Sequence, residues 1–318
     1  MSIAGSKLTG ANALAPAAYD PILMSVQAAA CTAGLAVLWK HTHLGTSTRF
    51  SVGLATGAGV TATIGVRYVD TSIYWRSYGG TMKLVGDTSS GETKIAAIYR
   101  YGGGALYALK QNAGVWNLGL VTHGPVSAAN LYAAISAESA TYKVYAKVDD
   151  LTVALLGVPF VTRFGLSTAW ISNAPIGTTI SHETSGQAIA ELVPVVGNLH
   201  DLMFRRVDDD NCWIVRLDYS TNYVRLIERN AGVEVERAST TVSAQSGTWS
   251  LAAKFMGNYL YAIAHRPNGT MYCTTYYNST LFNTATSAKL RNFASSDFAS
   301  FPYTLPSDAV EELEKYLP

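Results

Sequence analysis

Three consecutive aspartates, Asp208, Asp209 and Asp210, interrupt the apolar stretches of "LMFRRVDDDNCWIVRLDYSTNYVRLIERN". Carboxylates so grouped could ligate Ca²⁺, form an acid cluster for catalysis, or turn the corner of a hairpin. An EF-hand loop alternates its oxygen ligands around a central Gly and ends on Glu, an order this segment lacks. Asp and Asn favour turns because their side chains bond the local backbone and tolerate left-handed geometry. The pattern therefore predicts Leu202 to Val207 and Cys212 to Asp218 as adjacent strands, with Asp208 to Asn211 as the turn. Trp213, Val215 and Leu217 then share one face, and Ile214, Arg216 and Asp218 the other. The corner is the first reading, with a Ca²⁺ site at Asp208, Asp209 and Asp210 as its alternative.

Other residues are weighed for chemistry in the same way. His41 and His43 lie two apart on an expected strand, so both imidazoles could face one Zn²⁺. A third ligand would have to come from His123, His182, His200 or His265, each isolated in the sequence. Strand histidines without a metal are the preferred reading, and no cofactor is expected. Glu234 and Glu236 share a strand face in "GVEVER". Retaining glycoside hydrolysis needs two carboxyls about 5 Å apart over one cleft, and Arg225, Arg229 and Arg237 stand ready to pair with these two instead. No E-x-D-x-x-E, G-x-S-x-G or P-loop occurs, and "YGGGAL" lacks the Lys of a phosphate cradle. The chain reads as a non-enzyme.

Aromatic residues carry more information. Of nineteen tyrosines, many sit among polar residues, including Tyr74, Tyr78, Tyr272, Tyr276 and Tyr277. A ring with an apolar face and a polar edge suits both subunit interfaces and the stacking of sugars. These five are the glycan or interface candidates, with Tyr272 and Tyr276 expected on one strand face.

The elements that must position these residues are strands. Four-to-eight-residue runs rich in Val, Ile, Tyr, Thr and Leu are broken repeatedly by Gly, Asn, Asp or Ser, the signature of a sandwich or barrel. "KQNAGVWNL" is a hairpin signal. The exception is "LPSDAVEELEKYLP", where Asp308 is an N-cap, Glu311 follows three residues later, and Val310, Leu313 and Leu317 form a stripe. Two stretches repeat loosely, Ile64 to Asp87 and Leu202 to Arg229, each with a later run around a tryptophan, "AGVWNLGLV" and "SGTWSLAAKF". The expected organisation is an N-terminal arm over 1–20, β-sandwiches over 21–157 and 158–304, and an amphipathic helix over 305–318.

Composition narrows the partners. Charged residues make up 14% of the 318 and the formal net charge is +1. That gives no basic field for nucleic acid or anionic lipid, which argues against both as partners. No apolar run approaches the ~18 residues of a membrane span. The N-terminus lacks the basic and apolar regions of a secretory signal, and Cys31, Cys212 and Cys273 show no C-x-x-C spacing. Folding in a reducing host cytoplasm is expected.

The stretch Leu202 to Gly269, about a fifth of the chain, resembles the concanavalin A-like or laminin G-like jelly-roll modules. Phe204, Arg205, Asp208, Asn211, Trp213, Arg216, Leu217 and Asp218 carry the first part of the likeness, and Trp249, Gly257 and Asn258 the second. Through "AGLAVLWKHTH", "IYRYGGGALYALKQNAGVWNLGLV" and "NLYAAISAESATYKVYAKVDDLTV", the first half is similar to β modules of phage virion proteins. The resemblance implies an all-β fold of two tandem antiparallel sandwiches. It also implies a structural virion protein, a capsid decoration or tail-associated subunit, that forms a homo-oligomer, contacts other virion proteins and has a capacity for surface glycans. A carbohydrate-binding adhesin is the alternative, and a polysaccharide-cleaving enzyme the second alternative.

Overall fold

The computed structural model describes residues 7–8, 22–26, 34–43, 49–55, 64–69, 72–77, 80–88, 92–100, 105–112, 114–123, 131–137, 146–156, 170–244, 246–265, 271–273, 277–293 and 296–302. Side chains are described through most of the second half and at a few positions of the first, Leu38, Leu109 and Trp116 among them. Every regular element among the described residues is a β-strand, and all pairings are antiparallel. The fold is all-β, as the alternation of apolar and polar residues predicts. The expected helix over 305–318 lies outside the described residues.

The chain divides into two units, the second being Ser167–Thr304. Strands of the first unit are β1 (Lys7–Leu8), β2 (Ile22–Val26), β3 (Gly34–His43), β4 (Arg49–Ala55), β5 (Ile64–Val69) and β6 (Ser72–Ser77). They continue with β7 (Gly80–Thr88), β8 (Glu92–Arg100), β9 (Ala105–Asn112), β10 (Val115–His123), β11 (Leu131–Ala137) and β12 (Ala146–Leu156). The second unit begins with β13 (Trp170–Ala174), β14 (Thr179–Ser181), β15 (Gly186–Leu192), β16 (Leu199–Phe204), β17 (Cys212–Asp218) and β18 (Tyr223–Asn230). It ends with β19 (Val233–Thr241), β20 (Trp249–Met256), β21 (Tyr259–His265), β22 (Met271–Cys273), β23 (Tyr277–Asn278), β24 (Ser287–Arg291) and β25 (Ser296–Pro302).

Each unit has two six-stranded paths. In the first unit, sheet A runs β1-β12-β3-β8-β9-β10 and sheet B runs β2-β11-β4-β5-β6-β7. In the second, sheet C runs β13-β25-β15-β20-β21-β22, with β23 added against β21, and sheet D runs β14-β24-β16-β17-β18-β19. Setting β23 aside and counting each unit's strands afresh, sheets A and C have the same order, and so do sheets B and D. The two units share one topology.

That topology corrects the repeat read from the sequence. The paired stretches Ile64 to Asp87 and Leu202 to Arg229 are one strand out of phase, because β16, β17 and β18 correspond to β4, β5 and β6 rather than to β5, β6 and β7. Likewise Trp116 lies on β10 while Trp249 lies on β20, whose counterpart is β8. Strand, turn and strand look alike at every step of a meander, so local strings match at the wrong step.

The core of the second unit lies between sheets C and D. Ala188, Ala190, Leu251, Phe255 and Ala262 from one sheet meet Phe204, Trp213, Val215, Leu217 and Leu226 from the other. The period-2 alternation sends these residues to one side of their strands. Phe204 and Phe255 stack at 5.6 Å between centroids, and Tyr219 meets Trp249 edge-on at 6.0 Å. Trp213 is fully buried and its Nε1 donates to the Leu281 carbonyl at 3.1 Å, which satisfies the one polar group of the indole.

Candidate functional site

The aspartate segment is the loop of the β16–β17 hairpin, where Phe204 faces Trp213. The first strand ends at Phe204, three residues earlier than the expected Val207. Arg205 there adopts φ 43°, which breaks the extended run. Its buried guanidinium donates through Nη2 to the carbonyls of Thr184 at 3.1 Å and Gly257. Burial lowers its pKa to about 10. Beyond it the loop closes on itself. Val207 N donates to Asn211 O at 3.0 Å, and Asp208 Oδ1 accepts from Asp210 N at 2.8 Å and from Asn211 Nδ2 at 2.9 Å.

Each aspartate serves a different partner. Hydrogen bonds from Asn211 and from the Asp210 amide lower the Asp208 pKa. Asp209 accepts from Arg206 Nε at 2.8 Å and from Lys289 Nζ at 2.6 Å. Asp210 accepts from Arg229 Nη2 at 2.9 Å. The loop also holds the tip of the next hairpin, since Ala231 N donates to Asn211 Oδ1 at 3.1 Å and Gly232 N to Asp210 O at 3.0 Å. The carboxylates diverge instead of converging on one centre. Among the described residues no group of three His, Cys, Asp or Glu is placed to hold a metal ion.

Among the described side chains, a cluster of charge lies on the outer face of sheet D. Asp201 on β16 is fully buried. It accepts from Arg216 on β17 through Nε at 2.6 Å and Nη2 at 2.9 Å, and from Arg291 on β24 through Nε at 2.9 Å and Nη2 at 2.6 Å. Glu234 on β19 reaches the same two guanidinium groups, accepting from Arg216 Nη1 at 2.8 Å and Arg291 Nη2 at 3.0 Å. Arg229 links Glu234, at 3.5 Å, to Asp210. On the same face, in the rows beside this lattice of ion pairs, lie Met203, Cys212, Ile214 and Ile227, all buried.

Electrostatics follow from that pairing. Burial opposes the charge of Arg216, yet its hydrogen bonds to Asp201 and Glu234 outweigh the penalty and raise its pKa. Burial also opposes the charge of Glu234, and the bonds from Arg216 and Arg291 outweigh it, so its carboxyl titrates below the usual range. Glu236 is lowered too, by a bond from Ser239 and by Arg225. Cys212 is pushed up to about 12 by burial. These carboxylates are held ionised, the opposite of what a general acid requires.

Of the partners expected for Glu234 and Glu236, Arg229 and Arg225 take those places. Arg237 instead pairs with Glu228 at 2.9 Å. Arg216, Arg291 and Asp201 were not among the residues singled out for chemistry. The one available signal was alternation, which put Arg216 on the face away from Trp213. Tyr277 is half-buried, packing on Trp213 at 5.6 Å with the Arg237 guanidinium 5.3 Å from its ring. Tyr272 lies on β22 opposite Ala264, and Tyr74 lies on β6 between Arg67 and Lys83. His41 and His43 lie on β3, opposite Val148 and Ala146. Tyr78 and Tyr276 lie outside the described residues.

No family model matches the chain, and no curated protein does. Solved structures do. The chain is similar to the Caenorhabditis elegans galectin LEC-6 (TM-score 0.34, 11% identity, 42% of this chain and 96% of that one). It is similar to the Bacillus subtilis carbohydrate-binding module CBM66 (0.30, 12%, 42% and 94%). Over both units it is similar to domains LG4-5 of the mouse laminin alpha1 chain (0.28, 9%, 92% and 84%).

Proposed function

We propose that this chain is a non-enzymatic structural subunit of a virion, decorating a capsid or associated with a tail, that also binds glycans. The observation that carries the non-catalytic part is the state of the carboxylates on sheet D. Glu234 and Glu236 are drawn down by their hydrogen-bond partners and committed to arginines. A glycosidase would need one of its carboxyls protonated at working pH. The glycan part rests on the tyrosines, of which Tyr74 and Tyr272 lie on β6 and β22, since a ring with an apolar face and a polar edge suits the stacking of sugars. Two units of one topology in tandem suit a protein that presents repeated surfaces to neighbouring copies and to other virion proteins.

The test combines light scattering of the purified chain with a glycan panel and an assay for new reducing ends. Expected are a defined homo-oligomer, binding to at least one glycan class and no new reducing ends. Release of reducing ends would overturn the non-enzymatic reading. A monomer that binds one sugar class would favour an adhesin over a structural subunit.

A further inference from the structure

Sheet B holds the place in the first unit that sheet D holds in the second, and its register sorts its residues into two faces. One face carries Phe50, Val52 and Leu54 of β4, Ile64 and Val66 of β5, and Ile73 and Trp75 of β6. That apolar side is the one a sandwich turns to its partner sheet, and β4 and β5 approach β8 of sheet A. The other face carries all four cationic residues of the sheet: Arg49 on β4, Arg67 on β5, Arg76 on β6 and Lys83 on β7.

The register places these cations close together. Ser136, Ser51, Arg67, Tyr74 and Lys83 follow one another across β11, β4, β5, β6 and β7. The next row on the same face runs Ala134, Gly53, Gly65, Arg76 and Thr81. With strands about 4.8 Å apart, two adjacent glycines beside Ala134 leave a stretch without bulk, bordered by Arg67 and Arg76. The six strands of sheet B contain a single acidic residue, Asp87, which falls in the stretch of β7 where the register shifts between Lys83 and Thr88.

We infer that this face of sheet B is a binding site for an acidic glycan, one bearing carboxylates or sulfates on its sugars. This rests on the glycan-binding reading above and names its ligand class and place. Four cations on one face with no acid at a facing register position make a local positive field that the net charge of the whole chain conceals. Arg67 and Arg76 supply the residue type that binds carboxylate and sulfate bidentately. Tyr74 in the same row supplies a ring of the kind that stacks on a pyranose, and the glycine row leaves room for its flat face.

Calorimetric titration of the full chain with hexagalacturonate, maltohexaose and an oligothymidylate of similar length tests this. Expected is binding of hexagalacturonate that weakens at least tenfold between about 50 and about 300 mM salt, with maltohexaose much weaker. Arg67→Ser and Arg76→Ser are each expected to lose roughly tenfold in affinity. Arg237→Ser, a cation of sheet D paired with Glu228, should stay within about twofold, as screened surface pairs do. Lys83→Gln provides a further variant should an arginine variant fail to fold. Hexagalacturonate binding unchanged by the sheet B variants would overturn the assignment, as would oligothymidylate binding of equal strength. Maltohexaose binding without hexagalacturonate binding would overturn it and leave the glycan reading standing. Binding to neither sugar would overturn it too, and the glycan panel then decides the wider reading.

Discussion

Sheets B and D occupy one place in one strand order, and they treat charge in opposite ways. At corresponding register positions, sheet D carries Arg291, Asp201, Arg216 and Arg225 in a row, where sheet B carries Ser136, Ser51, Arg67 and Tyr74. The arginine of the central strand is common to both. Its neighbour on the preceding strand is a buried aspartate in one unit and a serine in the other. A duplicated scaffold can keep its hydrogen-bonded frame and its inward residues while the outward row diverges freely, because the sandwich core depends only on the other face. In sheet D the divergence has closed the face with ion pairs.

The largest expected effect breaks that closure. Asp201→Ala removes the carboxylate shared by Arg216 and Arg291 and leaves two guanidinium groups at a largely buried site with Glu234 alone. Loss of one partner from a buried ionic group costs about 3–5 kcal/mol, read as a lowered urea midpoint at unchanged slope. Ser51→Ala, at the corresponding position of sheet B, should change stability by no more than ~0.5 kcal/mol. Replacing Asp201, Arg216 and Arg291 together by leucine should cost less than Asp201→Ala alone, since the one charge left without its main partners, Glu234, is partly exposed and keeps Arg229. A triple variant weaker than the single one would mean that the lattice contributes net stability and not only correct pairing.

The acid response of the second unit comes next. His182 and His200 are buried in the second unit, and desolvation lowers both below 6.5. His200 Nδ1 donates to the Asn292 carbonyl at 3.0 Å, and its Nε2 accepts from Val195 N at 3.2 Å. A second proton would set two donors against each other. The unfolded chain binds that proton first, so stability is full above pH 6.5 and falls as pH drops below it. The lattice carboxylates act lower. Glu234 and Glu236 have folded pKa values below 4.5, so their contribution is present above 4.5 and is lost as pH falls through the folded values. Urea midpoints against pH should show two descending steps, with His200→Gln shrinking the upper one and Glu234→Gln the lower. One step, or steps untouched by both variants, would place the acid sensitivity outside these groups.

These same residues show what was legible in the sequence. The β16–β17 hairpin, its two faces and the turn role of the aspartates are local properties. Alternation placed Trp213, Val215 and Leu217 on one face, and that face lies in the core. The lattice is not local. Arg291 and Asp201 are 90 residues apart, and Glu234 reaches both Arg216 and Arg291 from a strand that pairs with neither. Only strand order brings them together, and strand order is what a meander hides. The one-strand error in the repeat has the same origin. "VRYVD" ends β5, whereas "RRVDDD" begins the loop after β16, yet both read as strand, basic residue and corner.

The smallest expected effect concerns the tip that carries Glu234 into the lattice. The β18–β19 turn has two residues with positive φ, Ala231 at 49° and Gly232 at 81°. That pair of left-handed residues matches the twist of a two-residue hairpin, and it suits Asn or Gly at the first position better than Ala. Asn211 holds the Ala231 amide and Asp210 that of Gly232, so the aspartate segment supports the conformation that aims Glu234. Ala231→Gly relieves the steric cost of the left-handed alanine but frees the unfolded chain, and Ala231→Asn relieves it with less entropy lost. Ala231→Asn should therefore stabilise by about 0.5–1 kcal/mol, and Ala231→Gly by less. In Asn211→Ala, which loses the bond to the Ala231 amide, the gain from Ala231→Asn should grow, because the tip then depends on its own backbone preference. An unchanged gain would mean that the loop and the tip are independent, and that the lattice is aimed by the β18–β19 pairing alone.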